Sequence, residues 1–257
     1  MIPAERRQKL LEYIKENGTA KISDLSEIFQ VSEMTIHRDL SYLEEHGHVE
    51  KKYGGAVSRL SKVEIAFNIR KMRNADAKQK IGQAAATLVK DGDTIYMDAS
   101  TTCLAMVSAL ENHRNLTIFT TGIATASALI NLDESNHVFC SAGEVSRNTM
   151  SITGFAATEF LKSIHVDKCF VGGAGIHPTH GVTDPGIEEV EIKRVAASRA
   201  KELILLVDRT KFGLLNRFLD FPLTEIDLIV TNIPKTDPLL REITATGVDF
   251  LYVDDNE

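Results

Sequence analysis

The stretch V-S-E-M-T-I-H-R-D-L, Val31 to Leu40, decides how the front of this chain is built. Ser32 is placed to cap a helix, and Ile36, Leu40 and Leu43 then recur at spacings of four and three, an apolar stripe along one helical face. Just upstream, Ser23 is placed to cap a shorter helix with Leu25, Ile28 and Phe29 as its core stripe, and Gln30-Val31 leaves only a brief turn between the two. A first helix opens near Pro3, buries Leu10, Leu11 and Ile14, and stops at Asn17-Gly18; a short extended piece follows. Two short helices joined so tightly form a helix-turn-helix. The third helix closes at His46-Gly47, and V-E-K-K-Y-G-G-A-V (Val49 to Val57) then sets a two-residue Gly54-Gly55 turn between extended arms, a β-hairpin signal. Three helices and a hairpin make a winged helix. At 3.6 residues per turn, Met34, Arg38 and Ser41 lie opposite the apolar stripe, with His37 on one flank and Thr35 and Tyr42 on the other. A duplex laid against that face presents phosphates to Lys51 and Lys52 on the hairpin. The competing reading is a small helical domain with an ordinary polar surface.

Composition sets the limits on the rest. The 257 residues carry 36 acidic and 29 basic side chains, a net charge of -7, and are 43% hydrophobic, so the chain is globular and holds one large core or two of unequal size. The acidic balance excludes a protein that coats nucleic acid by bulk positive charge. It divides into -1 before residue 60 and -6 after it, with the positive charge of the first part concentrated at Arg38, Lys51 and Lys52. Glu44 and Glu45, at the end of the third helix, are placed to repel misplaced phosphates. Cys103, Cys140 and Cys169 are far apart and odd in number, which predicts three buried, reduced thiols. The opening residues lack an apolar signal core, and no run approaches the roughly 18 apolar residues of a membrane span, so a cytoplasmic chain is expected.

From Arg59 to Lys80 seven basic residues face two acidic ones, either a solvated linker or a contact to flanking phosphates. Beyond it a helix with Ile81, Ala85, Leu88 and Val89 ends at Asp91-Gly92, and apolar strands then alternate with helices. Strands are predicted at 94–97, 116–120, 137–140, 166–171, 203–207, 227–230 and 249–253, the pattern of a parallel sheet covered on both faces. Ligands bind such sheets beyond the carboxyl ends of the strands. There stand Asp98, Ser100, Thr101 and Thr102; Thr120, Thr121 and Gly122; Ser141-Ala142-Gly143; Gly172-Gly173-Ala174-Gly175; and Asp208-Arg209-Thr210-Lys211. Hydroxyls and free N–H groups at helix starts suit a phosphate, and carboxylates suit sugar hydroxyls. Taken alone, Ser100-Thr101-Thr102 or Thr120-Thr121-Gly122 is better explained as a helix cap, and it is the coincidence of five strand ends that favours a ligand. His177-Pro178-Thr179-His180 reads as a flexible loop rather than a metal site, and no G-x-S-x-G elbow supports nucleophilic hydrolysis.

The residues 5–57, above all T-I-x-R-D-L within Val31 to Leu40, G-x-V-E-K-K-Y-G-G-A (Gly47 to Ala56) and the E-R-R-Q-K-L-L opening, resemble the winged helix of the DeoR family of bacterial transcriptional regulators. The resemblance runs through the second half, where G-V-T-D-P-G (Gly181 to Gly186) and I-E-E-V-E-I-K-R (Ile187 to Arg194) resemble that family's effector domain, which is related to sugar-phosphate isomerases. It implies a third helix in the major groove with Thr35, His37 and Arg38 in contact; the position of His37 is often Arg in the family. It also implies Asp98, Ser100, Thr101, Thr102, Thr120, Gly122, Lys193 and Lys211 as pocket residues, with Asp184 and Glu188 behind them.

The expected protein is therefore an α/β chain with an N-terminal winged helix-turn-helix at 1–57, a basic connector at 58–77, and a mostly parallel, isomerase-like α/β sensor domain at 78–257. Its expected DNA-binding residues are Ser32, Met34, Thr35, His37, Arg38, Ser41, Lys51, Lys52, Tyr53 and Gly54, and its expected effector residues add Thr121, Gly173 and Asp184 to the pocket set. The expected function is a repressor of carbohydrate metabolism genes, controlled by a phosphorylated sugar, without cofactor, metal or membrane. A dimer or tetramer is expected, because one small winged helix contacts too few bases to specify an operator. The rival is an active sugar-phosphate isomerase carrying a DNA-binding head, with Asp98, Asp184 or Glu188 as its base. A protein-interaction module without DNA binding is the third reading.

Overall fold

The computed structural model describes residues 3–17, 19–45, 49–52, 55–58 and 67–253. They fold as two compact units, Met1–Ile69 and Arg70–Glu257. In the first, helices α1 (Pro3–Asn17), α2 (Ile22–Phe29) and α3 (Glu33–Glu45) are joined by a sheet of β1 (Thr19–Lys21), β2 (Val49–Lys52) and β3 (Gly55–Ser58) in the order β1-β3-β2. The core is the expected one: Leu10, Leu11, Ile14, Leu25, Ile36, Leu40 and Leu43 are buried together with Val49. Gln30 takes the left-handed conformation (φ 51°) that ends α2 sharply.

Three local expectations are corrected. Ser23 lies inside the first turn of α2 rather than capping it, and its hydroxyl bonds Asp24. Ile22, not Ile28, fills the third core position of α2, because the helix starts two residues earlier and Ile22 shares a face with Leu25 and Phe29, while Ile28 is exposed. Gly55 is not a turn residue: it pairs with Lys52 across the hairpin and with Lys21 of β1. A Cβ there would stand 2.4 Å from the Ala20 carbonyl oxygen, so the third strand fits against β1 only with glycine. Tyr53, Gly54, the His46-Gly47 helix end and the connector at 59–66 lie outside the described residues.

Helix α4 (Phe67–Met72) carries the chain from the first unit into the second, which continues with α5 (Ala75–Ala86), so part of the expected connector is helical. Then follow β4 (Thr94–Met97), α6 (Thr101–Met106), β5 (Thr117–Thr120), α7 (Ile123–Leu129), β6 (His137–Cys140), β7 (Glu144–Val145), β8 (Ile152–Thr153), α8 (Phe155–Lys162) and β9 (Val166–Val171). The chain continues with β10 (Gly175–His177), β11 (Gly181–Asp184), α9 (Ile187–Ala197), β12 (Ala200–Leu206), β13 (Phe218–Phe221), β14 (Leu228–Thr231), α10 (Pro238–Thr244) and β15 (Asp249–Tyr252). Seven of these strands form the predicted sheet, in the order β15-β14-β12-β9-β4-β5-β6 and parallel throughout.

Alternate residues of each central strand enter opposite cores, which is why the strands read as unbroken apolar runs. Ile95 and Met97 face Ile81 and Met106 of α5 and α6, while Tyr96 joins Leu161, Ile192 and Ile243 of α8, α9 and α10. Helix α5 ends at Ala86, before the expected Asp91, and turns carry the chain past Val89 to β4. Cys140 is exposed rather than buried, because β6 is the sheet's outermost strand. The segment around His177 and His180 is no loose loop: it closes an antiparallel hairpin of β10 and β11, extended by β13 into a second, smaller sheet. That sheet carried no signal of its own, since its strands are short and sit among glycines.

Candidate functional site

In the first unit, the cap predicted at Ser32 is present: its Oγ accepts from the Thr35 N–H at 3.3 Å and lies 2.9 Å from the Thr35 hydroxyl. Beyond it Met34, His37 and Arg38 project outward, Met34 to 70% exposure, while Ile36 and Leu40 on the opposite side are sealed. Ser41 is tied to both sides of this face. Its hydroxyl donates to the His37 carbonyl at 2.9 Å and accepts from Lys51 Nζ at 3.0 Å. The Lys51 backbone N–H donates to Glu44 Oε1 at 2.8 Å, so Glu44 braces the hairpin. Lys52 follows in β2.

The sequence reading missed what fixes the pitch of α3. Asp39 is buried on the inner edge of the helix and accepts Arg6 Nε at 2.6 Å on one oxygen and Arg7 Nε at 2.9 Å on the other. The Arg7 guanidinium also lies over the Tyr42 ring, 3.9 Å from its centroid. The E-R-R opening and the R-D-L of α3 are therefore two halves of one ion-pair lock, and the signal was an acid placed next to the apolar stripe.

In the second unit the chain leaves β4 toward β5 on one side, and β9 leads to β12 on the other. The crevice at the carboxyl ends of β4 and β9 is thus the switch point at which α/β sheets bind ligands. Asp98 stands there, buried, taking the Ser100 N–H on one oxygen and the Gly172 N–H on the other, both at 2.8 Å. The fit is close: a Cβ on Gly172 would come within 2.6 Å of Ser100 Cβ, and one on Gly173 within 2.6 Å of Val182 Cγ1. Lys193, reaching up from α9, donates to the Gly172 carbonyl at 2.9 Å and to Asp184, whose other oxygen takes the Ala174 N–H at 2.9 Å. Burial alone would lower the Lys193 pKa, but Asp184, Asp220 and Asp98 outweigh it and raise the value, so this lysine stays charged.

The hydroxyl clusters divide. Ser100 caps α6 through the Cys103 N–H, as the capping alternative held, and Thr101 and Thr102 are buried in its first turn. Thr120 Oγ1 accepts from the Gly122 N–H at 3.0 Å and Thr121 pairs with the Tyr96 hydroxyl at 2.8 Å, so these two shape the turn that starts α7. Gly122 is required there, since a Cβ would stand 2.9 Å from Ala99 Cα. Glu188 is exposed on α9, away from the buried carboxylates. Ser141 Oγ is buried at the end of β6 without a hydrogen-bond partner.

A second charged group surrounds the end of β12. Asp208 is buried and accepts from Asn74 Nδ2 at 3.1 Å and from the Thr210 N–H at 2.9 Å. Around it gather Lys78, Lys211, Arg70 and Arg73. Lys78 is buried, donates to the Arg70 carbonyl, and has its pKa pushed down to about 8 by burial and by the positive charges of Lys211, Arg70 and Arg73, against the pull of Asp208. Lys211 is half-buried and also held below an ordinary lysine by burial and by Arg70 and Arg73, while Asp208 and Asp184 both pull it upward. The sequence reading had Lys211 but placed Arg70 and Arg73 in the connector and gave Lys78, the first residue of the sensor domain, no part in the pocket. The overlooked signal was spacing, for Lys78 stands three residues before Ile81 on the buried stripe of α5.

Models of two families match the chain: the DeoR-like helix-turn-helix domain over residues 6–62 and the DeoR C terminal sensor domain over residues 73–233. The chain belongs to the DeoR family. Among curated relatives, the HTH-type transcriptional regulator GolR of Listeria innocua is 36% identical over 250 residues, covering 96% of this chain and 98% of that one. The HTH-type transcriptional repressor GlcR of Bacillus subtilis is 31% identical over 258 residues, covering 100% and 99%. The solved structure of ribose 5-phosphate isomerase A from Methanocaldococcus jannaschii is 19% identical over 54% of this chain and 55% of that one, with a TM-score of 0.40. This DeoR-family chain is a transcriptional regulator with a DNA-binding helix-turn-helix and a sensor domain for a small-molecule effector. No helix among the described residues is long and apolar enough to cross a membrane.

Proposed function

We propose that the protein is a repressor of carbohydrate genes whose operator is read by α3 and whose effector is a phosphorylated sugar. Met34, Thr35, His37 and Arg38 are the groups that α3 offers to base edges, with Ser32 at its capped start. Lys51 and Lys52 offer charge to the backbone, Lys51 and Ser41 being joined so that hairpin and helix address one duplex together. Tyr53 and Gly54 belong to the same proposed hairpin contact. Paired heads supply the specificity that one head lacks, which is the reason to propose a dimer or tetramer.

The observation that carries the effector reading is the segregation of charge along one sheet edge: the cations around Asp208 and the carboxylates around Lys193. Lys78 and Lys211 suit a phosphate, and Asp98 and Asp184 suit hydroxyls. The sensor reading is supported by the work these groups already do: Asp98 and Asp184 hold backbone N–H groups and Lys193 in place, and Glu188 is exposed. A GlcR-like repressor role is proposed from that relative.

The test is a thermal-shift series on the full chain with inorganic phosphate and phosphorylated sugars, paired with binding to the DNA upstream of its own gene. A rise in midpoint with phosphorylated but not free sugars is expected. Turnover of a phosphosugar would establish the isomerase reading instead, and unchanged DNA affinity in Arg38→Ala would overturn the assignment of α3.

A further inference from the structure

Asp220 is an acid with no evident occupation. Its side chain is 0% exposed, and neither carboxyl oxygen has a hydrogen-bond donor; the group it can itself hydrogen-bond, when protonated, is the Asp184 carboxylate. It reaches this position through a fault in the small sheet: Val182 pairs with Phe221 but Thr183 pairs with Leu219, so Asp220 is the extra residue of a β-bulge. Bulges re-aim a side chain out of the strand's alternation. Here the carboxyl is brought to Lys193, whose Nζ lies 3.9 Å away, beside Asp184 and within the same group as Asp98, itself 4.0 Å from that ammonium.

One ammonium thus serves three carboxylates, and they are not equivalent. Asp98 and Asp184 each fix a glycine-rich strand end through backbone N–H groups. Asp220 fixes nothing. A buried carboxyl left without a donor is destabilising, and a native structure that keeps one has a use for it. Burial and the Asp184 charge push its pKa well above the ordinary carboxylate range. The cationic group stands at the end of β12 and this carboxyl group at the end of β9, two strands that pair directly, so the groups are neighbours along the sheet edge.

We propose that Asp220 is a recognition residue of the effector site, held for the hydroxyl-bearing end of a polyhydroxy compound whose phosphate sits at Lys78 and Lys211. The inference rests on the effector reading above and adds to it the residue that selects among phosphorylated compounds. A site that hydrogen-bonds a ligand hydroxyl through a buried polar group discriminates strongly against analogues that lack it.

The experiment is calorimetric titration of the full chain, wild type against Asp220→Asn and Asp220→Ala, with inorganic phosphate and a panel of hexose, pentose and alditol phosphates. At least one panel compound is expected to bind wild type about tenfold or more tighter than inorganic phosphate, and both variants are expected to lose that gain while binding inorganic phosphate as before. The Asp220→Asn midpoint is expected at or above that of wild type, because Lys193 keeps Asp184 and Asp98. A gain that survives in both variants overturns the proposal, as does a panel in which nothing exceeds inorganic phosphate. A fall in midpoint together with weaker inorganic phosphate binding overturns it too, by assigning Asp220 a structural role. If neither inorganic phosphate nor any panel compound binds wild type, the effector reading itself has failed.

Discussion

Replacing Asp39 by Ala removes two bonds at once, from Arg6 Nε at 2.6 Å and from Arg7 Nε at 2.9 Å, and leaves both guanidinium groups against a site that no longer carries charge. The two arginine side chains are 11% and 26% exposed, so neither is free to recover its hydration fully. Removing one partner of a buried pair costs about 3–5 kcal/mol, and the lower end applies because Arg7 retains some solvent and its stacking on Tyr42. At roughly 0.05–0.15 kcal/mol per residue, a unit as small as the winged helix has only about 3–10 kcal/mol in total. The substitution therefore takes between a third and all of its stability. Hydrogen exchange of the full chain reads this directly at the Leu40 and Leu43 amides, with Ile95 and Ile204 in the other unit as reference. Protection in α3 is expected to fall about a hundredfold, with the reference amides unchanged and DNA binding abolished. Asp39→Asn, which keeps one acceptor, is expected to fall between. If the α3 amides of Asp39→Ala exchange within about threefold of wild type, the lock contributes little and the reasoning from its burial is wrong.

Three further outcomes follow from the geometry. Because Lys78 titrates at about 8 in the folded chain and near an ordinary 10.4 when unfolded, the unfolded state binds more protons between those values, so stability rises with pH across that window; urea unfolding should show the rise in wild type and a smaller one, left by Lys211, in Lys78→Met, and inorganic phosphate should bind more weakly above pH 8 as the lysine loses its charge. Lys51→Ala with Lys52→Ala should lower affinity for all DNA sequences and reduce the log-log salt slope by about one for each phosphate that is no longer neutralised, whereas an unchanged slope removes the hairpin from the interface. Gly172→Ala places a Cβ 2.6 Å from Ser100 Cβ and 2.7 Å from its Oγ, so the Asp98 bridge must shift at a cost of about 1–3 kcal/mol, visible as a lower thermal midpoint and weaker effector binding; a midpoint equal to wild type contradicts the packing described for the crevice.

What the sequence disclosed depended on whether an interaction leaves a periodic trace. Ile36, Leu40 and Leu43 recur at helical spacing, and Ile95 to Met97 or Phe170 to Val171 form runs that only a doubly covered strand tolerates, so the winged helix core and all seven strands of the main sheet were legible. Asp39 with Arg6 and Arg7 spans more than thirty positions and leaves no periodicity, so the lock was invisible. The same holds for Lys78 and Asp208, brought together by α5 crossing the sheet. Asp220 is the instructive miss: F-L-D-F alternates as a strand should, but with the acid on what looks like the exposed side, and only the bulge at Val182 and Thr183 reverses it. The β10 and β11 hairpin was read as a loop because its glycines look like loop residues, yet Gly175 and Gly181 allow close approach as well; Gly181 has φ 71°, and a Cβ on it would meet the Phe221 carbonyl oxygen at 2.2 Å.

A net charge of -7 argued against DNA, yet it describes a quantity that neither proposed site uses. Two unit charges at about 4 Å interact by about 1 kcal/mol in water and about 4 kcal/mol near a protein surface, while charges farther apart than about 8 Å are largely screened at physiological salt. What counts at each place is therefore which carboxylate a cation faces. In the winged helix Arg6 and Arg7 share the single charge of Asp39 inwardly, and the Glu44 carboxylate receives the Lys51 backbone N–H while the Lys51 ammonium sits on Ser41, a neutral partner, with its charge intact. In the sensor unit Lys193 is overmatched by three acids, whereas Lys78 and Lys211 share Asp208 with two arginines, so the local excess changes sign between the ends of two paired strands of one sheet edge. An anion is attracted to the second group and repelled by the first, and a ligand with an anionic end and a hydroxyl-bearing end is thereby given a direction as well as a place.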